Sequence, residues 1–370
     1  MRGRFHARSL AVIFVLSMIS AASGADWQLA LPGWRYEFPR DHGAHPDFKT
    51  EWWYFTGNLR DEQGAEFGYQ LTWFRHGISR VENPGREISS WVVRDLKFAH
   101  FTLSDLRAGA FFFSQKMSRG AFGEAGSGAS GKIAWIENWQ LFFHENDGTW
   151  ELRAAEENHA LTLKLTPAKP PVIHGENGVS AKAEGAGHAS CYYSQTRLAT
   201  TGEITLGGVA HRVTGESWFD HEWATNQLTP EQAGWNWFSL QLSDHTELML
   251  YQMRRRDGGI DSASSGTFIA ADGSGTHLTG DAFHLTPLAW WKSAKTGARY
   301  PVRWRVEIPQ LALSLEVSTP LEKQELVLQP IVYWEGAIRV AGQRGKEKVT
   351  GHGYMELTGY SGALRGLSEP

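Results

Sequence analysis

A chain of 370 residues with a net charge of −4 has material for two hydrophobic cores and too little positive charge for a polyanion partner. Its single cysteine, Cys191, excludes an internal disulfide, so burial alone must hold the fold. Seventeen Trp and 40 Gly fit short aromatic strands joined by tight turns and argue against a coiled coil or helical bundle.

The chain opens with Arg2, Arg4 and Arg8, an apolar run over residues 10–19, and small residues up to Ala25. This predicts a signal peptide over residues 1–25, cut after Ala25, with Ser23 and Ala25 as the small residues a peptidase needs. The apolar run falls short of the roughly 20 residues that span a bilayer. The expected mature protein is periplasmic or secreted, more acidic for the loss of three Arg, with no membrane span after cleavage and no nucleic-acid partner.

Period-two alternation dominates the chain beyond the leader. Residues 66–74 read as a strand after a turn at residues 61–64, and residues 132–136 and 139–143 read alike. Asp147-Gly148 is a hairpin turn, because Gly tolerates the positive φ required there. Strands come next at residues 150–154 and 161–165, the latter ending at Pro167 before a Pro170-Pro171 loop. The Gly-Ser stretch at 126–131 reads as a flexible loop, residues 262–267 and 270–276 as loop or edge, and Arg254-Arg255-Arg256 as a solvated hairpin end. Short helices are allowed near 103–109 and 281–291.

Three anchors recur in the same order. Residues 53–59 with Tyr69-Gln70-Leu71 match residues 236–242 with Tyr251-Gln252-Met253. Trp150 with residues 160–165 matches Trp304 with residues 312–317, and Val213-Thr214-Gly215 with Trp218 matches Val349-Thr350-Gly351 with Tyr354. Three matches in register imply duplication of a whole domain. The expected units are residues 26–228 and 229–370. Each is long enough for about eight strands, enough to close a barrel with room for one small ligand; an open sandwich is the alternative.

The densest polar cluster is residues 215–223. As a strand it points Trp218, Asp220 and Glu222 one way and Phe219, His221 and Trp223 the other. Paired carboxylates among Trp rings are raised in pKa by burial and by each other, so one can serve as an acid. The competing reading is that they tie a domain interface together. A second cluster, residues 38–54, holds Asp41, His42, His45 and Glu51. Its spacing matches no standard zinc pattern, so no metal and no cofactor are expected. Glu51 is the best pocket acid there, or else a salt-bridge partner of Arg40 or Lys49. His174, His188 and Cys191 lie near a Gly-rich loop, where a Cys-His nucleophile or an inert buried thiol would fit.

The segments FPRDHGAHPDFKTEWWYFTGNL (residues 38–59), YYSQTRLATTGEI (192–204), VTGESWFDHEW (213–223) and GWNWFSLQL (234–242) resemble the AttH-like family, the group related to carotenoid 1,2-hydratase. The resemblance spans nearly the whole mature chain. It implies an all-β fold of two tandem lipocalin-like (calycin-type) β-barrel domains. It further implies a hydratase- or hydrolase-type reaction on a hydrophobic isoprenoid or lipid-like molecule, or alternatively a non-catalytic lipid carrier associated with an ABC transporter. In the hydratase branch an Asp protonates an isolated alkene. Asp220, His221 and Trp223 are the matching positions, with Glu222 and Glu51 assisting. Trp52, Trp53, Tyr54, Trp218, Trp223, Trp235 and Trp237 are the expected aromatic walls for substrate and cation.

Overall fold

The computed structural model describes residues 27–80, 93–328 and 331–362. The predicted signal peptide lies outside the described residues. Thirteen strands form the first sheet: β1 (Thr50–Asp61), β2 (Glu66–Gly77), β3 (Asp95–Asp105), β4 (Ala110–Ser118), β5 (Ala125–Ser127), β6 (Lys132–Ile136), β7 (Trp139–His144), β8 (Thr149–Glu156), β9 (His159–Pro167), β10 (Val172–Ile173), β11 (Ser180–Ala181), β12 (Ala189–Leu206) and β13 (Val209–Ala224). Ten form the second: β14 (Gln232–Leu242), β15 (Glu247–Arg255), β16 (Ser265–Ile269), β17 (Gly275–Thr279), β18 (His284–Lys292), β19 (Arg299–Ile308), β20 (Leu313–Ser318), β21 (Glu325–Val327), β22 (Val332–Arg344) and β23 (Glu347–Leu357).

The two sheets share one plan. The first runs β4-β3-β2-β1-β13-β12-β9-β8-β7-β6-β5, and the second runs β17-β16-β15-β14-β23-β22-β20-β19-β18. Each sequence anchor falls on corresponding strands: β1 with β14, β8–β9 with β19–β20, β13 with β23. Both sheets curl into barrel-like domains. In the first, Lys116 of β4 reaches Glu137 beyond β6 at 2.6 Å, and Phe101 packs edge-on against Trp139.

Burial explains which strands alternate cleanly in sequence. On β7 buried residues alternate with half-buried ones and on β9 with exposed ones, the pattern of a sheet wet on one face. On β13 every residue from Trp218 to Ala224 is buried, because one face lines the first barrel and the other meets the second domain. The barrel interiors are filled with their own side chains. Trp53, Phe55, Trp73, Trp150 and Phe219 fill the first; Phe238, Leu250, Trp304, Trp334 and Met355 fill the second. Each buried aromatic ring removes roughly 200 Å² from water, worth on the order of 5 kcal/mol. The expectation of a ligand inside a barrel is therefore corrected: large aromatics occupy that space.

Local expectations also change. Residues 103–105 end β3 and a turn comes after them, while residues 284–292 form β18 with a bulge at Pro287, so neither suggested helix forms. Ser265–Ile269 is an interior strand and Gly275–Thr279 an edge strand, and Ala125–Ser127 is the edge of the first sheet. Arg254 is not solvated; its guanidinium stacks 3.7 Å from the Tyr360 ring.

A bulge in β12 fixes the docking of the domains. The register with β13 slips between Gln195 and Leu198, which turns Arg197 out of the ladder. Its Nε donates to Oε1 of Glu247 on β15 at 2.7 Å, and its Nη1 to Glu216 at 2.7 Å. Lys169 reaches the other oxygen of Glu247 at 2.7 Å. Glu247 is wholly buried, so removing one cation leaves it undercompensated. Arg197→Met is expected to cost about 3 kcal/mol, read as a lower urea midpoint at unchanged m-value. An unchanged midpoint would contradict this role.

Candidate active site

The site is set by which residues stand opposite one another. β1 and β13 pair antiparallel with Tyr54 facing Asp220, Trp52 facing Glu222, Trp53 facing His221 and Glu51 facing Trp223. Directly opposed residues share a face. Tyr54, Trp52, Asp220 and Glu222 therefore look toward the second domain, and Trp53, His221, Glu51 and Trp223 look into the first barrel. On the other side of β13, Ser194 and Tyr192 oppose Asp220 and Glu222 and join the outward face.

The outward face meets β14, β15, β22 and β23 in an aromatic layer that includes Tyr192, Trp218, Trp237, Tyr251 and Tyr354. Within this layer lies a cavity of about 150 Å³ between the domains. Its walls include Trp52, Tyr54, Trp235 and Trp237, and its polar groups include Asp220, Glu222, Lys182, Tyr192 and Glu356. A void of this size accepts a small ring or branched alkyl group.

Asp220 is 3 % exposed, and its carboxyl accepts hydrogen bonds from three side chains. Tyr192 donates to Oδ2 at 2.7 Å, and Trp218 Nε1 donates to Oδ1 at 2.6 Å. Ser194 gives a very short bond to Oδ1. Trp237 Nε1 in turn donates to the Tyr192 oxygen at 3.1 Å, and His174 Nε2 lies 2.6 Å from Ser194 Oγ. Burial pushes the Asp220 carboxyl up, Glu222 adds to it, and the three donors hold it to about 7. The group is thus protonated at neutral pH to a substantial degree, while its conjugate base already has its donors in place. Glu222 is compensated differently: Lys182 Nζ lies 3.1 Å from it and Gln227 Nε2 donates to it at 2.9 Å. Across the cavity, Glu356 accepts from Trp235 Nε1 at 3.0 Å and is raised to about 7, by burial first and by Asp220 and Glu222 after it. Glu335 beside it is wholly buried and receives a very short bond from Tyr54.

The inward face forms a separate cluster. Glu51 is wholly buried; His45 Nδ1 and His221 Nε2 lie 2.8 and 3.0 Å from its Oε1, and Arg75 Nε lies 3.2 Å from its Oε2. Burial would raise the Glu51 carboxyl, but the two histidines and the Arg75 charge hold it below the ordinary range. Burial likewise would lower His45, and Asp41 and Glu51 raise it instead. The His45 ring stacks on Trp223 at 3.7 Å, so the cluster pins the segment before β1 over the barrel. Among the described residues, His45, Glu51 and His221 stand close enough to share a metal ion. Both rings meet one carboxylate oxygen at hydrogen-bond distance, so the three groups satisfy one another's polar atoms. Glu51 thus pairs with Arg75, not with Arg40 or Lys49, and neither its carboxylate nor His221 shares a face with Asp220. His42 bonds Tyr193 at 2.7 Å within the same core.

Several groups in or beside the cavity are not singled out by the sequence: Tyr192, Ser194, Lys182, Glu335 and Glu356. Glu356 carries a signal, since the third repeat anchor places it in register with Asp220. Cys191 is buried against the first core, and burial pushes its thiol up to about 12, which makes it inert.

The sequence pattern of the AttH-like family matches residues 29–360. A solved protein assigned to AttH from Nitrosomonas europaea is 36 % identical over 90 % of this chain and 99 % of its own, with a TM-score of 0.80. Kievitone hydratase from Nectria haematococca shares the fold at a TM-score of 0.67 and 15 % identity, covering 91 % of this chain and 99 % of its own. CghA shares it at 0.53 and 12 %, covering 92 % and 98 %. No curated protein matches this sequence. The family match over most of the chain and the two-barrel fold agree: this chain belongs to the AttH-like family.

Proposed function

We propose that this protein is an exported hydratase-type enzyme that protonates an alkene of a hydrophobic isoprenoid or lipid-like molecule through Asp220. The observation that carries the reading is a carboxyl, deeply buried yet raised only to about 7, facing an aromatic cavity. An unactivated alkene needs a proton donor away from bulk water. As the proton leaves, Tyr192, Trp218 and Ser194 stabilise the carboxylate without rearranging, which favours the charge that develops in the transition state. The tertiary carbocation then faces Trp52, Tyr54 and Trp237, whose rings stabilise a cation. Water adds to complete the alcohol, and no cofactor is called for. The fold shared with kievitone hydratase supports the reaction class. The leader predicted over residues 1–25 supports a periplasmic or secreted site of action.

A second reading rests on the apolar walls alone. The same cavity would suit a carrier that holds a lipid-like molecule for an ABC transporter, with Asp220 as an interface residue. The two readings separate on turnover. Asp220→Asn is expected to lower kcat by about a hundredfold to ten-thousandfold with ligand affinity nearly unchanged, measured on trisubstituted isoprenoid alkenes by product analysis. Full turnover in the variant would sink the enzyme reading.

The pH profile carries its own sign. Asp220 must be protonated to act, so the rate is expected to fall about tenfold per unit above about pH 7. Stability moves with the same group. Its folded pKa lies above the ordinary 3.8, so the folded state carries no penalty below about pH 4 and a full one above about pH 7. Asparagine carries none. Relative to wild type, Asp220→Asn is expected to gain on the order of 2 kcal/mol between about pH 5 and about pH 8, read by urea unfolding. A gap that does not widen with pH would contradict a neutral Asp220.

A further inference from the structure

The internal repeat assigns a second reactive group. Carrying the Val213-Thr214-Gly215 and Val349-Thr350-Gly351 match forward places Glu356 where the first domain has Asp220. The strands agree. Asp220 stands between Tyr54 of β1 and Ser194 of β12; Glu356 stands between Trp237 of β14 and Glu335 of β22. The duplicated domains thus present equivalent carboxyls to one cavity from opposite walls.

Their settings differ in a way that divides the work. Asp220 is deeply buried and both its oxygens are engaged. Glu356 is only partly buried, and a single bond from Trp235 engages Oε2. Both carboxyls are raised to about 7, and two like charges in one apolar site share a proton, so one is ionised while the other stays neutral. The neighbouring charges are already compensated. Lys182 faces Glu222, and Arg75 faces Glu51 and Asp95. His100, bonded to Tyr333, is pushed down to about 3 by burial, and burial also lowers His76. Glu335, raised by burial and then by Glu356, is held as the neutral acid beside Tyr54.

We propose that Glu356 is the second catalytic residue, the base that takes the proton of the adding water while Asp220 supplies the proton to carbon. This rests on the reading of Asp220 as the acid. The Asp220 O–H bond breaks and a C–H bond forms, leaving a tertiary cation. The water oxygen gives a lone pair to that cation, its O–H bond breaks, and the proton goes to the Glu356 carboxylate. The product is the alcohol, and one proton passed from Glu356 to Asp220 resets the pair.

Two measurements on the full mature chain test this. The first needs no substrate: side-chain carboxyl carbons of Asp and Glu are followed by NMR through neutral pH. Coupled titration of Asp220 and Glu356 is expected, with Glu356→Gln lowering the Asp220 midpoint by about one unit. Independent midpoints, with Asp220 unmoved in the variant, would overturn the pair and leave the acid role of Asp220 intact. The second uses citronellol in deuterated water. In Glu356→Gln, deuterium should still enter the less-substituted alkene carbon through reversible protonation, while hydrated product falls at least roughly a hundredfold. Hydration persisting at wild-type rate would overturn the base role. Loss of exchange and hydration together in Glu356→Gln, with the fold retained, would also count against it. Wild type that neither exchanges nor hydrates the probe speaks against the enzyme reading with that alkene, and the titration then decides the pair alone.

Discussion

A β-strand whose two faces are both buried has no solvent side on which to place polar groups. From Trp218 to Ala224, β13 is such a strand. Its inward face carries Phe219, His221 and Trp223 into a closed aromatic core, and its outward face carries Trp218, Asp220 and Glu222 into the seam between domains. Every polar group on it must find a partner or stay neutral. Glu222 finds Lys182, and His221 finds Glu51 and the Asp41 carbonyl. Asp220 finds only neutral donors, so it is the member that keeps a proton. The position of the cavity has the same origin, since filled barrels leave the seam as the place where aromatic walls and acids meet.

The seam is also where duplication has consequence. One barrel alone would expose Tyr54, Tyr192 and Trp218 to water, and Asp220 would ionise like a surface carboxylate. Docking of the second domain removes that water. The Arg197–Glu247 clamp sits at a β12 bulge in the strand that also supplies Tyr192 and Ser194. One of the interactions that hold the domains together therefore lies on the strand that supplies the donors to Asp220. Holding a carboxyl neutral in this way costs folding stability at high pH, a pattern common at functional sites.

Much of this is legible in the chain. The strands with one wet face, such as β7 and β9, announce themselves by alternation, and the repeat anchors predict two units of one plan. The parity of β13 is legible too, because residues two apart share a face whatever the tertiary structure. The register of β1 against β13 is not. A slip of one residue would exchange the faces of Glu51 and Tyr54. Lys182, Tyr192 and Glu356 reach the site only through pairing and docking across long sequence separations. The Ser- and Gly-rich strand β16 is hidden because its composition resembles a turn, while its place between β15 and β17 makes it a strand.

The central claim is that the seam between the domains holds an apolar molecule and adds water to it through Asp220. Native mass spectrometry of the mature protein, purified from its own envelope beside Asp220→Asn, tests this most directly. An apolar alkene is expected to be retained by the variant, and the same molecule heavier by one water to be retained or released by wild type. The same unaltered molecule in both proteins would make this a carrier, and two empty proteins would contradict a working cavity.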